Sequence, residues 1–379
     1  MALDKILVAR LLIVVAAATA APVGEPLRLP VVDIGAARRH IRPDLRSMAA
    51  SLAPPRAANG TASASGTACA SGTAYNPTLA SEEFRAACKE FGAVRVRGHA
   101  LTPARIDNNR GVADAFFRQP DDVKRRVPRI DGDGVPRGYS WLAAENVGAM
   151  SGLDSPPDPV EKYSVGKDDN IWPPGPFEPV FQAFFDDARA LARQVFRLLE
   201  DAESLPKGFF DPFLTEARES MRLLHYPAPS GPGQTRMQPH TDMGVFTLIF
   251  PDGPGLEYLV DGVWRPVATE PGDVIVHVGD ALATLTNNAL RSNVHRVAAP
   301  SDGARPRSSI VYFQSLNDAT PMRPLGDDVD ASEAMSFGDY VSDKMRAMNT
   351  KESVGASAVL TDEVYREHIK HAVDPFCNA

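Results

Sequence analysis

Residues 240–250 read HTDMGVFTLIF, in which His240-Thr241-Asp242 stand directly before an apolar run. The run at 245–250 is one of seven short β-type runs that begin near Met221, and turn signals such as Pro251-Asp252-Gly253-Pro254 separate them. The predicted strands are 222–226, 245–250, 255–259, 274–278, 283–286, 294–298 and 309–313. Closely spaced strands without an intervening helix predict an antiparallel sandwich or jelly roll.

The sequence on either side of these strands predicts helices and a few further strands. Residues 29–34 and 91–96 have the pattern of strands, and residues 81–91 have that of a helix. Apolar residues recur every three or four positions between 179 and 202, which predicts a long helix with one buried face. Helical periodicity returns beyond residue 332.

We therefore predict a mainly β fold with flanking helices. Its core at 215–318 is a double-stranded β-helix, the jelly-roll or cupin-like arrangement, preceded by an N-terminal α/β region at 28–200 and followed by a helical C-terminal extension at 319–379. Residues 57–76 consist almost wholly of Ala, Gly, Ser and Thr, so we expect a flexible surface insertion there.

Composition excludes several classes of function. The chain has 379 residues, of which 44% are hydrophobic and 23% charged, as in a water-soluble globular protein with a large core. The net charge is -8 and no dense basic stripe occurs, so we expect no nucleic-acid partner. We expect a monomer that acts on a small molecule.

The first twenty residues have the pattern of a signal or targeting segment. Residues 11–20 (LLIVVAAATA) are apolar, follow two basic residues and end in Ala18-Thr19-Ala20, a small-x-small cleavage pattern. This run is too short to span a bilayer, so we predict no stable membrane span. The alternative is an alanine-rich tail of a cytoplasmic protein, and the odd number of cysteines (Cys69, Cys88 and Cys377) favours a reducing compartment. Localisation is open between secretory or organelle entry and the cytoplasm.

Three residues form a candidate metal site. Residues i and i+2 of an extended chain point to the same face, so His240 and Asp242 can present an imidazole and a carboxylate to one point. His295 lies on a later predicted strand that a jelly roll could bring alongside. Two histidines and one carboxylate form the facial triad of non-haem Fe(II) oxygenases. The alternative interpretation is two unrelated histidines in turns and strands.

A candidate anion site follows downstream. Arg307 and Ser309 are two positions apart at the start of an apolar strand, so a guanidinium and a hydroxyl share one face. An arginine binds a carboxylate in bidentate fashion, as anchoring the far end of a dicarboxylate cosubstrate requires. The alternative is a surface arginine.

With these motifs in order, the sequence resembles the isopenicillin N synthase-like family of iron(II)/2-oxoglutarate-dependent dioxygenases. The resemblance covers most of residues 28–345. The segments that look like successive family landmarks are 29–34 (LPVVDI), 84–98 (FRAACKEFGAVRVRG), 170–173 (NIWP), 222–227 (RLLHYP), 240–242 (HTD), 255–259 (GLEYL), 279–280 (GD), 295–297 (HRV) and 307–309 (RSS).

The resemblance implies both a set of ligands and a reaction. It implies that His240, Asp242 and His295 bind Fe(II), and that Arg307 and Ser309 bind the distal carboxylate of 2-oxoglutarate. Tyr226 matches a tyrosine that assists that carboxylate, although a core aromatic is the alternative. With O2 as the second cosubstrate, such an enzyme hydroxylates, desaturates or cyclises a small molecule and releases succinate and CO2.

The sequence departs from the family pattern at three places. Leu224 and His225 stand where many relatives have Asn-Tyr, and His277 stands where relatives usually have Asn, so we expect His277 to be structural. Arg305 lies at the more common spacing after His295. We prefer Arg307 because only Arg307 is followed by x-Ser and the apolar strand.

Two other functions stay open at this point. The family also contains iron oxidases that do not use 2-oxoglutarate, in which the arginine and serine hold a substrate carboxylate. A non-catalytic jelly-roll binding protein is the third possibility. The Gly-rich segment at 130–150 is expected near the mouth of the site, where Tyr139 and Trp141 either line the pocket or pack against the barrel.

Overall fold

The computed structural model describes residues 23–34, 79–131, 135–151, 155–229, 235–298, 305–325 and 334–350. The predicted targeting segment at 1–20, the predicted insertion at 57–76 and the part of the predicted tail beyond residue 350 lie outside these ranges.

The helices of the described residues flank a strand-rich centre. They are α1 (Leu79–Phe91), α2 (Pro103–Phe117), α3 (Asp121–Lys124), α4 (Phe177–Ala202), α5 (Asp280–Leu285) and α6 (Phe337–Thr350), with two short 3-10 helices at Val147–Ser151 and Asp211–Leu214. Within the described part of the chain, none of the helices is long and apolar enough to cross a membrane.

Twelve strands of the described residues form two sheets. They are β1 (Val31–Asp33), β2 (Ala93–Arg97), β3 (Gly138–Ser140), β4 (Glu161–Gly166), β5 (Ser220–Tyr226), β6 (Thr235–His240), β7 (Phe246–Pro251), β8 (Leu256–Val260), β9 (Val263–Pro266), β10 (Val274–Val278), β11 (His295–Ala298) and β12 (Arg307–Gln314). The larger sheet has the order β1-β2-β10-β7-β12-β5-β4-β3, and the smaller has the order β6-β11-β8-β9. All strand pairs are antiparallel except β1 with β2.

A hydrophobic core fills the space between the two sheets. It joins Leu224 and Ile249 of the larger sheet to Met237 and Val297 of the smaller sheet. Two antiparallel sheets packed face to face in this way form the predicted jelly roll. Strands from the N-terminal region, β1 to β4, extend the larger sheet at both ends.

Helix α4 covers the outer face of the larger sheet. Its Phe184 lies 5.0 Å from Phe250 and its Phe196 lies 5.0 Å from Phe246, measured between ring centroids. Each fully buried phenylalanine contributes about 2–3 kcal/mol of hydrophobic stabilisation. Helix α4 therefore fixes β7, so that the opposite face of the strand is held rigidly toward the interior of the jelly roll.

The mainly β fold with flanking helices is confirmed. One predicted strand is wrong, and several strands of the structure were not predicted. Residues 283–285 belong to helix α5 and Thr286 is its C-cap, because a short apolar run fits a buried helix as well as a strand. Strand β6 was not predicted, because TRMQPH is polar and contains Pro239. Strand β6 is an edge of the smaller sheet, where a proline is tolerated. The short strand β9 was also missed.

Candidate active site

Two neighbouring strands of the smaller sheet bring the two histidines together. His240 is the last residue of β6, His295 is the first of β11, and they lie directly opposite each other in the strand pairing. Asp242 follows in the turn between β6 and β7. The three side chains are buried, and each offers one ligand atom within 4.8 Å of the other two.

The hydrogen bonds of His240 and Asp242 use the atoms that point away from the other triad residues, so Nε2 of His240 and Oδ1 of Asp242 face the centre of the triad. Nδ1 of His240 lies 2.8 Å from the carbonyl oxygen of Gln238, which can only accept, so Nδ1 carries the proton. Thr247 donates its hydroxyl proton to Oδ2 of Asp242. The other oxygen, Oδ1, lies 3.7 Å from Nε2 of His240 and 3.9 Å from Nε2 of His295. Burial, followed by the proximity of His240, lowers the pKa of His295 and favours its neutral form. This donor set fits a divalent iron.

A buried carboxylate holds the turn that carries Asp242. Asp280, at the start of α5, accepts hydrogen bonds from Thr241 at 3.0 Å, Ser292 at 2.6 Å and Tyr340 at 2.6 Å. Its backbone N–H donates to the carbonyl oxygen of Asp242 at 2.8 Å. Asp280 therefore ties the turn that carries Asp242 to helix α6.

Gly279 permits the close approach of this turn. A Cβ at this position would lie 2.2 Å from the carbonyl oxygen of Gly244 and 3.1 Å from that of Asp242. Both contacts are to backbone atoms, which cannot rotate away, so only glycine fits.

His277 packs against the triad without joining it. Its ring centroid lies 4.4 Å from that of His295, and its Nδ1 lies 2.9 Å from the hydroxyl of Tyr258. Burial lowers the pKa of His277 to about 3, so the ring is neutral at physiological pH.

Arg307 presents a buried cation with free donors. Its side chain is 4% exposed, and among the described residues neither Nε nor Nη1 has a hydrogen-bond partner. Its guanidinium carbon lies 5.3 Å from the ring centroid of Tyr226, the residue opposite it on β5. Burial lowers the pKa of Arg307. An unpaired buried guanidinium is costly, so its free donors indicate a place for an anion.

Arg307, Ser309 and Tyr226 lie on the neighbouring strands β12 and β5, and none of the three belongs to the described wall of the cavity that the triad lines. Ser309, two positions along β12, is buried and lies between Leu224 and Pro251 of the neighbouring strands. Tyr226 is fully buried, and its hydroxyl donates to the sulfur of Met237 at 3.8 Å. Arg305, the alternative anchor, is exposed.

A cavity of about 130 Å³ opens beside the triad. All three triad residues line it, and much of the remaining wall is apolar, formed by Val147, Met150, Leu224, Met237, Ile249 and Phe313. Helix α6 contributes Val341 and Met345 and closes one side. The arrangement is suited to holding a small molecule with C–H bonds next to a metal.

The segment at 130–150 only partly matches its prediction. Val135, Pro136, Val147 and Met150 line the cavity. Tyr139 packs in the core and donates its hydroxyl proton to Glu161. Trp141 is 48% exposed and lies beneath the guanidinium of Arg125. Neither aromatic belongs to the described cavity wall, so the packing alternative holds for Tyr139.

The structure also reveals the partners of the residues that depart from the family pattern. Leu224 lines the cavity. His225 points away, stacks on Phe117 at 5.3 Å and places Nδ1 2.8 Å from Glu161. Sequence reasoning missed the contribution of Thr247 and of the cavity cations Lys162 and Arg222. The alternation of side chains along β4 and β5 was the only available signal for these two cations.

Comparison with family models gives two matches. The model described as the 2OG-Fe(II) oxygenase superfamily matches residues 217–315. The model described as the N-terminal region of non-haem dioxygenases in morphine synthesis matches residues 73–178.

Characterised relatives match over about two thirds of this chain. A proline hydroxylase of Petromyces alliaceus is 29% identical over 274 residues, which are 66% of this chain and 86% of the relative. Deacetoxycephalosporin C synthase of Amycolatopsis lactamdurans is 29% identical over 267 residues, 66% of this chain and 81% of the relative.

Solved structures give the same result. A full-length Neurospora crassa protein in complex with alpha-KG matches with a TM-score of 0.63 and 27% identity, over 71% of this chain and 90% of the matched protein. A 2OG-Fe(II) oxygenase family protein of Caulobacter crescentus matches with a TM-score of 0.59 and 27% identity, over 76% of this chain and 93% of that protein. With the two family models and the facing triad, these matches show that the chain belongs to the isopenicillin N synthase-like family of iron(II)/2-oxoglutarate-dependent dioxygenases.

Proposed function

We propose that His240, Asp242 and His295 are the iron ligands of this dioxygenase, and that Arg307, Ser309 and Tyr226 hold the 2-oxoglutarate. The observation that carries the proposal is the convergence of three buried ligand atoms at one cavity. The buried Arg307, with two donors that have no described partner, supports the second half of the proposal. Bound iron(II) with 2-oxoglutarate and O2 supplies the oxidising chemistry, in which 2-oxoglutarate becomes succinate and CO2.

The chain's own residues prepare the metal site. The Gln238 carbonyl oxygen accepts from Nδ1 of His240, so Nε2 is the ring nitrogen that faces the other two ligands. Thr247 fixes Oδ2 of Asp242 and thereby aims Oδ1 at the two imidazoles. Because Asp280 and Gly279 fix the backbone of the turn, Asp242 is held in place before a metal arrives.

The chain's residues also position the dicarboxylate. Nε and Nη1 of Arg307 are two donors without a described partner that a carboxylate could use, and Ser309, two positions along the same strand, offers a hydroxyl on the same face. The oxidase without 2-oxoglutarate would use the same two residues for its substrate. The matches to relatives that use 2-oxoglutarate favour the cosubstrate.

Apolar side chains form much of the remaining cavity wall, where a substrate would lie. The apolar side chains of β5, β7 and β12 together with helix α6 surround the metal-binding residues. Hydroxylation, desaturation and ring closure would all be compatible with such a wall.

The experiment that tests this proposal measures retention of labelled 2-oxoglutarate under anaerobic equilibrium dialysis. Wild-type protein loaded with iron(II) is expected to retain one 2-oxoglutarate per chain, and to retain far less without iron or with Asp242→Ala. Retention that needs neither iron nor Asp242 would contradict the ligand assignment. No retention by the iron-loaded protein would favour the oxidase or the binding protein.

Two further proposals concern the whole chain. We propose that the protein is monomeric. Its molar mass, measured by light scattering as the protein elutes from a size-exclusion column, tests this. We also propose that residues 1–20 direct the chain into a secretory or organelle route, supported by their sequence pattern. N-terminal sequencing of the mature protein tests this, because an uncleaved Met1 would favour the cytoplasmic alternative.

A further inference from the structure

The cavity has a cationic wall in addition to its metal site. Lys162 on β4, Arg222 on β5 and Arg218 just before β5 all line the cavity. Among the described residues that line it, Asp242 is the only acidic one, and it belongs to the triad. An apolar cavity with cationic groups at one side is complementary to an organic anion.

Lys162 and Arg222 share a single carboxylate. Nζ of Lys162 lies 2.6 Å from Oε2 of Glu145, and Nη1 of Arg222 lies 3.2 Å from the same oxygen. Arg129 takes the other oxygen of Glu145. Glu145 is 3% exposed and does not belong to the described cavity wall. It therefore binds both cations on the side away from the cavity.

Both cations keep donors that Glu145 does not use. A lysine has three N–H donors and an arginine has five, and Glu145 accepts one from each. No other described carboxylate lies within 4.0 Å of either cation. Asp158 is also buried close by, but both of its oxygens accept backbone N–H groups, from Val147 and Gln238 at 2.8 Å. The spare donors therefore have room for one more anion.

Arg218 differs from this pair. It pairs with the exposed Asp318, with Nε 3.1 Å from Oδ1 of that residue. Arg218 is thus neutralised by its own partner, which leaves Lys162 and Arg222 as the cations that a ligand would meet inside the cavity.

Strand register separates this cationic pair from the 2-oxoglutarate anchor. Arg222 lies opposite Val311 on β12, and Val311 is four residues along the strand from Arg307. Four residues of a strand span about 13 Å. That separation is longer than the five-carbon chain of 2-oxoglutarate, so one molecule bound at Arg307 does not also neutralise Arg222.

The same register places the pair close to the metal site. Two residues beyond Val311, Phe313 lies opposite Thr247, whose hydroxyl donates to Asp242. Lys162 lies opposite Leu224, which also lines the cavity. An anion bound by the pair would therefore have its apolar skeleton between the strands and the triad.

We propose that Lys162 and Arg222 bind the carboxylate of the substrate, which is a small carboxylic acid with an apolar skeleton. This inference rests on the proposed function, because it assigns the substrate class of the same cavity. Glu145 acts as a positioning residue that holds both cations at the wall.

The test measures binding to the iron(II)- and 2-oxoglutarate-loaded enzyme without oxygen, by titration calorimetry. The probes are straight-chain acids from butanoate to decanoate, 3-phenylpropanoate and cyclohexylacetate, each compared with its primary amide. Excess 2-oxoglutarate blocks Arg307, and the visible band of the loaded enzyme shows beforehand that iron and 2-oxoglutarate are bound. Absence of that band would contradict the proposed function. Presence of the band without a preference for the acids would contradict only the inference about the substrate.

We expect at least one acid to bind about tenfold or more tighter than its amide, since hydrogen bonds to charged groups have this strength. Arg222→Gln and Lys162→Met should each remove most of that preference and leave binding of the amide unchanged. Arg126→Gln is the matched control, because Arg126 is 74% exposed on its side chain and far from the cavity wall.

Two results would overturn the inference. One is that every acid binds wild type no tighter than its amide, a comparison that needs no variant to fold. The other is a preference for the acid that survives both Arg222→Gln and Lys162→Met, because the carboxylate would then be bound elsewhere.

Discussion

Replacing Arg307 by Gln should weaken 2-oxoglutarate binding about 150-fold. Glutamine keeps one amide donor group but loses the positive charge and the two donors, Nε and Nη1, that have no described partner. Removing one partner of a buried charge pair costs about 2–5 kcal/mol. A loss of about 3 kcal/mol corresponds to roughly 150-fold in the dissociation constant, at 1.4 kcal/mol for each factor of ten.

The same change should leave the ligand-free protein as stable as before, or slightly more stable. Arg307 has a lowered pKa because burial disfavours its charged form, so its charge destabilises the fold until an anion binds. At a 2-oxoglutarate concentration of 100 times the wild-type dissociation constant, binding stabilises wild type by about 2.7 kcal/mol. A variant that binds about 150-fold more weakly gains only about 0.3 kcal/mol under the same conditions.

Anaerobic calorimetric titration and urea unfolding of the iron-loaded proteins measure both effects. Arg305→Gln is the matched control, since Arg305 is exposed and its backbone oxygen, not its side chain, binds Arg236. An unchanged 2-oxoglutarate affinity in Arg307→Gln, or a large loss in Arg305→Gln, would refute the anchor assignment. A clear loss of ligand-free stability in Arg307→Gln would show that the guanidinium is structural.

Three further predictions follow from the site. Asp242→Ala should abolish iron retention while the circular dichroism spectrum stays unchanged, and iron that is still retained at one per chain would contradict the ligand role. Burial lowers the pKa of His277 to about 3, so its ring stays neutral in the folded ligand-free protein, whereas in the unfolded chain the ring binds a proton as the pH falls below about 6.5. Between pH 7 and pH 5.5, wild type should therefore lose about 1 kcal/mol more of its free energy of unfolding than His277→Asn, as measured by urea unfolding. Equal losses would argue against a buried neutral ring. Gly255 has a φ of +124° and a Cβ there would lie 2.8 Å from the carbonyl oxygen of Ala298, so Gly255→Ala should cost about 1–3 kcal/mol in chemical unfolding. Gly111→Ala, a helical control with nothing within 4 Å, should stabilise by about 0.5–1 kcal/mol, and similar effects of the two alanines would refute the strain at Gly255.

The elements with strong periodicity were predictable from the sequence. The long helix α4 and the strands β7 and β12 bury regular apolar faces, so their pattern shows in the local sequence. Strand β6 buries the polar side chains of Arg236, Gln238 and His240, and its sequence therefore lacks the apolar pattern of a strand. It ends at His240, which we propose as an iron ligand, and local sequence rules are most often broken at functional sites.

The metal triad could be proposed from residue types, but its supports could not. Thr247 and Asp280 act through hydrogen bonds to Asp242 and its turn, and nothing in their local sequence indicates these contacts. Glu145 meets Lys162 and Arg222 only because β4 and β5 pair within the larger sheet. A cluster of charges from separate elements becomes visible only when the fold brings them together.

The most direct test of the iron and 2-oxoglutarate sites is an anaerobic spectrum. Iron(II) and then 2-oxoglutarate are added to the purified metal-free protein, and the weak visible charge-transfer band of the chelate is recorded. We predict that the band appears in wild type and is lost in His240→Ala. No band in wild type with iron demonstrably bound, or an unchanged band in His240→Ala, would contradict the site proposed here.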